Sequence, residues 1–254
     1  MRSCCGRPAS IVERRVTVTG TTTDDADTLP LGVFHEVSIS VPDLAASVAF
    51  YEALGWHQVP VRAVWPHPYA ALTDGSVTLG LHQYRFPSPS VTCVHPDIGA
   101  ALAEHRGAGM VIAFAKTGPD CFNEFGFRDP HGHMVTLLEA PTHDGPTPAD
   151  AADAPPAVPS GGSFLSLPAA DIGLALRFWR LLGAHEVDGP RLATPADWSC
   201  RPLEAGGLPM AIHPASLFER PAVVCVVRAD SATGASRQVL EAPEGTPVIR
   251  VSAA

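Results

Sequence analysis

The sequence has little positive charge, and it lacks the short motifs of several common catalytic sites. Its 17 Lys and Arg are outnumbered by 26 Asp and Glu, which gives a formal net charge of −9. A chain with no basic stripe is a poor partner for nucleic acid or an anionic membrane surface. It contains no GxGxxG at a helix start, no P-loop, no GxSxG elbow and no helical pair of histidines four residues apart. Dinucleotide, nucleoside triphosphate, serine hydrolase and zincin sites are therefore excluded.

Long apolar runs and paired cysteines are also missing. Runs such as VIAFA and AVVCVV have the length of strands, well short of the roughly 20 residues that a membrane helix needs. The first residues include arginines but no apolar stretch before a cleavage site, which argues against a secretory signal. The six cysteines form neither a CxxC pair nor a zinc-finger spacing, so we expect them to be reduced. These features predict a cytoplasmic protein.

The sequence does contain an internal repeat. PDLAASVAFYEALG at 42–55 recurs as PDIGAALAEHRGAG at 96–109 and as AADIGLALRFWRLLG at 169–183. A period of about 50 residues predicts an array of one supersecondary unit, which must pair with another copy to bury its sheet face. Paired copies enclose a cavity, and we expect the functional site to lie there.

Each full copy is predicted to be a βαβββ module. HEVSISV at 35–41 alternates as a half-buried strand does, and Asp43 then caps a helix that Gly55 ends. Three strands should follow in the first copy, and the second copy should repeat the order over 90–140. The third copy covers about 163–215. The fourth, from 222, keeps a strand and a weak helix but has too little chain for a full module.

The predicted fold class is α+β, with tandem βαβββ modules paired into half-barrel domains, of which the second is degenerate. Residues 1–30 are predicted to be an N-terminal tail and 31–140 the first domain. A stretch rich in Pro, Ala and Asp at 141–162 has no apolar periodicity and is predicted to be a linker. Residues 163–254 would form the second, truncated domain.

Over 33–140 the chain resembles the vicinal oxygen chelate superfamily, and it does so more weakly over 163–228. The resemblance lies in HEVSISVPDLAASVAFYEALGW, the TDG hairpin, LGLH and FRDPHGHMVTLLE. The superfamily includes glyoxalase I, bleomycin-resistance proteins and extradiol dioxygenases. The resemblance implies a half-open barrel that, in metal-dependent members, holds a divalent ion on the first and last strand of each module. It does not specify the activity, because this scaffold hosts several chemistries.

The resemblance implies four metal-ligand positions, and this chain fills few of them. The first-strand position is His35, and the fourth-strand position falls on Gly80 or, with a small shift in register, on His82. The two positions of the second module fall on Pro89 and Thr136. A catalytic zinc or iron ion needs at least three protein ligands. We therefore expect no metal cofactor; if a divalent metal is bound, His35 and His82 would be its ligands.

Histidines and aromatic residues are the remaining candidates for the site. His35 and His82 are predicted catalytic residues, although a strand-end histidine can also be purely structural, and His213 recurs at the place equivalent to His82. Small-molecule pockets are lined by aromatic side chains with a few polar groups, but such residues also fill cores. The predicted ligand-binding residues are Trp65, Tyr69, Tyr84 and Phe125.

Two functions are compatible with these residues. The first is a binding protein for a natural product or antibiotic-like molecule, which uses an apolar and aromatic cavity without the superfamily metal. The alternative is a lyase, isomerase or dioxygenase that is metal-assisted or uses a histidine as acid and base. The expected partner is a small molecule, not nucleic acid or a membrane, and the chain would act as a monomer with paired domains or as a homodimer. The second domain could also serve only to cover the first.

Overall fold

A computed structural model describes residues 28–145, 162–187, 200–228 and 237–253. Most of the predicted tail and linker, and the predicted weak helix of the fourth copy, lie outside these residues. The first 8 strands are β1 (Val33–Ser40), β2 (His57–Val59), β3 (Tyr69–Thr73), β4 (Thr78–His82), β5 (Ser90–Val94), β6 (Ile112–Lys116), β7 (Glu124–Arg128) and β8 (Met134–Leu138). Helix α1 (Leu44–Ala53) follows β1, and helix α2 (Ile98–Gly107) follows β5.

The second half of the chain forms a second sheet. Its elements are β9 (Ser163–Ala169), α3 (Ile172–Leu181), β10 (His185–Glu186), β11 (Arg201–Ala205), β12 (Leu208–Pro214), β13 (Ala222–Arg228), β14 (Arg237–Glu241) and β15 (Pro247–Ala253). The spatial order is β2-β3-β4-β1-β5-β8-β7-β6 in the 8-stranded first sheet and β10-β11-β12-β9-β13-β15-β14 in the 7-stranded second sheet.

Both sheets are built in the same way. In the first, β1 is parallel to β4, β5 is parallel to β8, and the two modules join where β1 runs antiparallel to β5. In the second, β9 is parallel to β12, β13 is parallel to β15, and β9 runs antiparallel to β13. The prediction of an α+β fold with two half-barrel-like domains is confirmed. Among the described residues the fourth module has three strands, while the exact domain boundaries remain a prediction.

The three helices begin at the aspartates that the repeat predicted. Asp43, Asp97 and Asp171 each accept a hydrogen bond from the backbone amide three residues later. A carboxylate at this position satisfies an amide that the first helical turn leaves unpaired. No helix in the described ranges is both long and apolar enough to cross a membrane.

The helix-covered faces of the two sheets share one hydrophobic core, in which Val37, Trp179 and Leu203 belong to the same cluster. Polar contacts add to this core. The hydroxyl groups of the buried residues Ser47 and Tyr51 on α1 donate hydrogen bonds to the carboxylate of Glu244 in the turn between β14 and β15, at 2.7 and 2.8 Å. The two domains are therefore packed against each other through the helix-covered faces of their sheets.

Each sheet also has an inner face, on the side away from the helices. On β1, Val37 and Ile39 point into the shared core, so Glu36 and Ser38 point to the opposite side. By the strand register, the first inner face is polar and consists of Glu36, Ser38, His82, Ser90, Thr92 and Thr136. The equivalent positions form the second inner face, which consists of Phe164, Ser166, His213, Ala222, Val224 and Ile249.

Candidate functional site

A β-bulge at His35 shapes the first inner face. Phe34 pairs with Cys93 and Glu36 pairs with Thr92, so His35 is an extra residue on β1. A bulge interrupts the alternation of side chains and turns neighbouring side chains toward the same region. His35 and Glu36 are adjacent in sequence, and both are buried, with 7% and 0% of their surface exposed. The bulge therefore brings an imidazole and a carboxylate to one place.

The carboxylate of Glu36 lies at the centre of the site. It accepts hydrogen bonds from the Ser38 hydroxyl at 2.6 Å, the Tyr69 hydroxyl at 2.5 Å and His82 Nε2 at 2.9 Å. Burial alone would raise the pKa of this carboxyl, but the hydrogen bond and charge of His82, together with the nearby histidines, bring the pKa of Glu36 below its ordinary value. The site therefore contains a buried carboxylate that stays ionised.

Gly80 is required by the position of this carboxylate. A Cβ atom at Gly80 would lie 2.1 Å from Cδ of Glu36, far closer than any real contact. Gly80 is also one of the two positions at which the superfamily resemblance implies the fourth-strand metal ligand. In this chain the carboxylate of Glu36 occupies the space into which a side chain at that position would extend.

From Glu36 a chain of hydrogen bonds runs through two histidines. His82 Nε2 bonds to Glu36 Oε1, and His82 Nδ1 lies 3.0 Å from Nε2 of His67. His82 is buried, whereas His67 in the loop before β3 is only half-buried. The chain thus connects a deeply buried anion to an imidazole near the surface.

A group of rings, which we call the aromatic cluster, surrounds the outer end of this chain. The rings of Trp65 and Tyr84 stack on His67 with centroid distances of 5.7 and 5.0 Å. Trp65 also contacts Phe122 edge to face, and Phe86 contacts His82 in the same way. The members of the aromatic cluster are Trp65, His67, Tyr84, Phe86 and Phe122.

The segment that follows β8 also contributes to the site. Residues 141–145, the crossing segment, run beside residues 60–62, with a backbone bridge between Val61 and His143. The Thr142 amide donates a hydrogen bond to His35 Nε2 at 3.0 Å. Because this nitrogen accepts, it carries no proton, and burial lowers the pKa of His35 to about 4. His35 is therefore neutral at physiological pH.

His35, Glu36 and His143 together have the chemistry of a metal site. Their donor atoms lie within 4.8 Å of one another, and Nε2 of the buried His143 has no hydrogen-bond partner among the described residues. Two imidazoles and a carboxylate suit several divalent ions. The donor types alone would therefore be compatible with a divalent cation.

The arrangement of the three side chains does not suit an ion. The rings of His35 and His143 are stacked, with centroids 3.8 Å apart and an interplanar angle of 10°. An imidazole lone pair lies in the plane of its ring, and metal–nitrogen bonds are about 2.1 Å long, so two parallel stacked rings cannot direct their lone pairs to one ion. His35 Nε2 is also already engaged by the Thr142 amide. In this arrangement the group does not fit a metal ion.

The structure brings most of the predicted site residues together, with one exception. His35, His82 and Tyr69 all lie around Glu36, and Trp65 and Tyr84 flank His67. Phe125 lies elsewhere. It has no exposed surface and packs against His105 and Phe127 on the helix-covered face of the sheet. The structure therefore provides no contact between Phe125 and the aromatic cluster.

Four residues of the site were not identified from the sequence: Glu36, His67, Thr142 and His143. Strict alternation along β1 assigns Glu36 to the face opposite His35, and only the bulge changes this. Thr142 and His143 belong to a stretch whose composition is that of a linker. A useful signal was available for His67, since it lies between Trp65 and Tyr69 in a loop predicted to contact ligand.

No sequence model of a protein family matches the chain, and no curated protein is similar to it in sequence. Solved structures are similar. A catechol 2,3-dioxygenase shares 15% identity at a TM-score of 0.52, over 89% of this chain and 94% of that chain. An extradiol ring-cleaving dioxygenase from B. fuscum shares 12% identity at a TM-score of 0.56, over 90% and 74%.

The Mn(II)-bound glyoxalase from Novosphingobium aromaticivorans is a third match, with 16% identity and a TM-score of 0.52, over 88% of this chain and 82% of that chain. At such identities the similarity establishes the fold alone. The chain shares the fold of these dioxygenases and this glyoxalase, which is the fold that the resemblance in sequence implied. Its activity must be argued from its own residues.

Proposed function

We propose that the chain binds a planar small molecule against the aromatic cluster of the first domain without using a metal ion. The observation that most supports this proposal is that the stacked rings of the aromatic cluster adjoin the polar inner face of the first sheet. Tyr84, at the outer end of the stack, has 60% of its surface exposed. An exposed ring is a surface on which a planar ligand can stack.

Two further features support a ligand at this place. Nε1 of Trp65 is buried and has no hydrogen-bond partner among the described residues. An unpaired buried donor costs about 1–3 kcal/mol, and a ligand that brings an acceptor to it recovers this energy. Behind the rings, the ionised Glu36 orients His82, so that a polar group of the ligand would meet fixed dipoles. The expected ligand is therefore planar, with at least one hydrogen-bond acceptor.

The stacked imidazoles and the place of Glu36 support the proposal of a metal-free site. Gly80, which has no side chain, is one of the two positions on β4 at which the superfamily resemblance implies a ligand, the other being His82. The hydrogen bonds that Glu36 accepts already come from protein side chains. Adding an ion would require His143 to leave its stack on His35. The test is elemental analysis of the purified protein; stoichiometric manganese, iron, nickel or zinc would contradict this part of the proposal.

Binding itself is tested by calorimetric titration against a panel of planar natural products. We expect saturable binding that is weakened about tenfold or more in Tyr84→Ala, since one stacked ring contributes roughly 1–3 kcal/mol. Leu174→Ala is the matched control, because Leu174 is also an exposed apolar side chain, at 38%, but lies on α3 of the second domain. Equal losses in both variants, or no binding by any member of the panel, would contradict the proposal.

The second candidate is an enzyme that uses a histidine as acid and base. The observation that favours it is the hydrogen-bonded chain from Glu36 through His82 to His67, because a carboxylate behind an imidazole fixes its tautomer and stabilises its protonated form. Isomerase or lyase chemistry needs only such a proton transfer. Conversion of a bound ligand by the metal-free protein would favour this candidate, and binding with no conversion would favour simple sequestration.

A further inference from the structure

The hydrogen-bond chain assigns a tautomer to each histidine in it. An ionised carboxylate only accepts hydrogen bonds, so the proton on His82 lies on Nε2, which bonds to Glu36. In a neutral His82, Nδ1 is then the acceptor. The 3.0 Å contact to His67 requires one donor, so His67 donates from Nε2. The lone pair of a neutral His67 is left on its Nδ1.

This lone pair is available. No hydrogen bond to Nδ1 of His67 is formed by any described residue, and the side chain is half-buried at the edge of the site. The rings of Trp65 and Tyr84 both stack on the imidazole, so we expect a ligand to reach it at its edge. His82, by contrast, has both nitrogens occupied, and His35 Nε2 is held by Thr142. Of these three imidazoles, His67 is the one with a nitrogen free to react.

We propose that Glu36, His82 and His67 form a proton relay in which Nδ1 of His67 is the base that removes a proton from a planar ligand held against the aromatic cluster. This inference rests on the proposed function. It makes His67 a catalytic residue, while His82 and Glu36 act through it as positioning residues. The substrate class is a planar, conjugated molecule with an acidic C–H or O–H bond.

The relay conserves protons at each step. The C–H or O–H bond of the substrate breaks, its electron pair stays on the substrate, and a new N–H bond forms at Nδ1 of His67. The Nε2 proton of His67 can then pass to Nδ1 of His82. The resulting imidazolium of His82 is paired with Glu36, so the positive charge lies beside a buried anion. The relay returns to its neutral state when it gives a proton back to the substrate or to water.

The electrostatic surroundings agree with a neutral His67 in the resting protein. Burial lowers the pKa of His67, and a proton taken up by His82 would lower it further. The other titratable groups near the relay are His35, His143, Tyr69, Tyr84 and Glu124, and the pKa of Tyr69 is raised by burial and by Glu36. None of these groups carries a permanent positive charge that would pair with Glu36 in place of His82.

The base is tested with 5-nitrobenzisoxazole, a planar carbon acid. When a base removes its ring C–H proton, the electron pair forms a nitrile, the N–O bond breaks and a coloured phenolate is released, so no co-reactant is needed. We expect saturable turnover above the imidazole-buffer background, reduced about a hundredfold in His67→Ala. His57→Gln is the matched control, because His57 is an exposed histidine on β2, and it should leave the rate unchanged.

The tautomers are tested independently by long-range proton–nitrogen correlation spectra of the ¹⁵N-histidine-labelled full chain at neutral pH. The wild type should carry the proton of His67 on Nε2, and Glu36→Gln should abolish this preference while a melting curve confirms that it is folded. A proton on Nδ1 of His67 in the wild type overturns the relay, whatever the rate.

The outcomes separate the two proposals. Saturable binding of the probe with no turnover above background overturns the relay and leaves the proposed binding function standing. Equal turnover rates in the wild type and His67→Ala would likewise overturn the relay and leave the proposed binding function standing. If 5-nitrobenzisoxazole does not bind, the result counts against the proposed function for this class of molecule, and the relay is then decided by the tautomer of His67.

Discussion

The two inner faces of this protein have the same strand pairing but opposite chemistry. At equivalent register positions, Glu36 of the first face corresponds to Phe164 of the second, and Thr92 corresponds to Val224. Thr136 corresponds in the same way to Ile249. The backbone therefore does not dictate the chemistry of the inner face, because differences at four of the six equivalent positions, including Ser90 and Ala222, turn a polar face into an apolar one.

One pair of residues survives in both domains. Ser38 and Ser166 occupy the same position, and so do His82 and His213. In the first domain Glu36 is the common partner of the serine and the histidine. In the second, Ser166 bonds directly to His213 Nδ1 at 2.7 Å, and His213 Nε2 donates to a backbone carbonyl. In the second domain the serine and the histidine thus bond to each other, whereas in the first domain both bond to an ionised carboxylate.

The largest effect is expected when the charged residue of the first inner face is introduced at the equivalent position of the second inner face. Phe164→Glu would place a carboxylate at a site with 1% exposure, beside Val224 in the apolar cluster. Ser166 and His213, the equivalents of two donors to Glu36, already bond to each other, so burying the new charge should cost about 5 kcal/mol or prevent folding. Phe164→Leu, which keeps the site apolar, should cost about 1 kcal/mol. Urea denaturation measures both; similar losses would show that the faces do not differ as described.

Removing the carboxylate from the first face should come next. Glu36→Ala leaves the hydroxyls of Ser38 and Tyr69 and the imidazole of His82 without their shared acceptor, and a loss of about 3–5 kcal/mol in the free energy of unfolding is expected. Glu104→Ala, at an exposed position of α2, is the control and should change stability by less than about 0.5 kcal/mol. A small effect at Glu36 would mean that the network contributes little.

Acid should weaken the first face through His35. Its pKa is about 4 in the folded protein and 6.5 ordinarily, so the unfolded chain binds more protons between these values. Stability is therefore complete above pH 6.5 and falls as the pH drops toward 4, by up to about 3 kcal/mol from this residue. The lowered pKa of Glu36 acts in a separate window, because its contribution is lost only below the ordinary carboxyl value of 4.5.

The measurement is the free energy of unfolding at several pH values between neutral pH and the ordinary carboxyl pKa. His35→Gln should remove the part of the decrease that belongs to this residue, whereas His57→Gln, at an exposed position, should leave the slope unchanged. An identical slope in the wild type and His35→Gln would show that His35 is readily protonated in the folded protein.

The smallest effect tests the glycine beneath the carboxylate. Gly80→Ala should cost about 2 kcal/mol, because its Cβ would overlap Glu36, while the equivalent residue of the second domain is already Ala211. Ala211→Gly should cost roughly 1 kcal/mol through backbone entropy. In a background of Glu36→Ala, Gly80→Ala should become nearly neutral, and a thermal denaturation cycle measures this coupling. If the effects of Gly80→Ala and Glu36→Ala were simply additive, the carboxylate of Glu36 would not lie against residue 80.

Sequence patterns were sufficient for the elements that follow regular periodicity. The alternation of HEVSISV predicted β1, and the Asp and Gly at the ends of the first repeat predicted α1 to within a residue or two. Their success has a physical cause: strand alternation and helix capping are local, so they depend on a few neighbouring residues.

The site was less predictable because it depends on departures from local rules. The bulge at His35 brings this side chain to the side of the sheet on which Glu36 lies, and no residue in the strand signals it. His143 comes from a segment without periodicity and reaches the site only through its pairing with Val61. Tyr69 and His82 were predicted because they lie on regular strands, and the placement of Phe125 shows that aromatic composition alone does not reveal which face of a strand a ring occupies.

The contact of Glu244 with α1 has a consequence for how the molecule comes apart. If the second domain unfolded alone, the hydroxyl groups of Ser47 and Tyr51 would lose their carboxylate partner. The apolar, helix-covered face of the first sheet would also become exposed to water. Neither half can melt without raising the free energy of the other. Calorimetry should therefore record a single transition, and cleavage of the chain between residues 145 and 162 should yield a first half that aggregates rather than a separate soluble module.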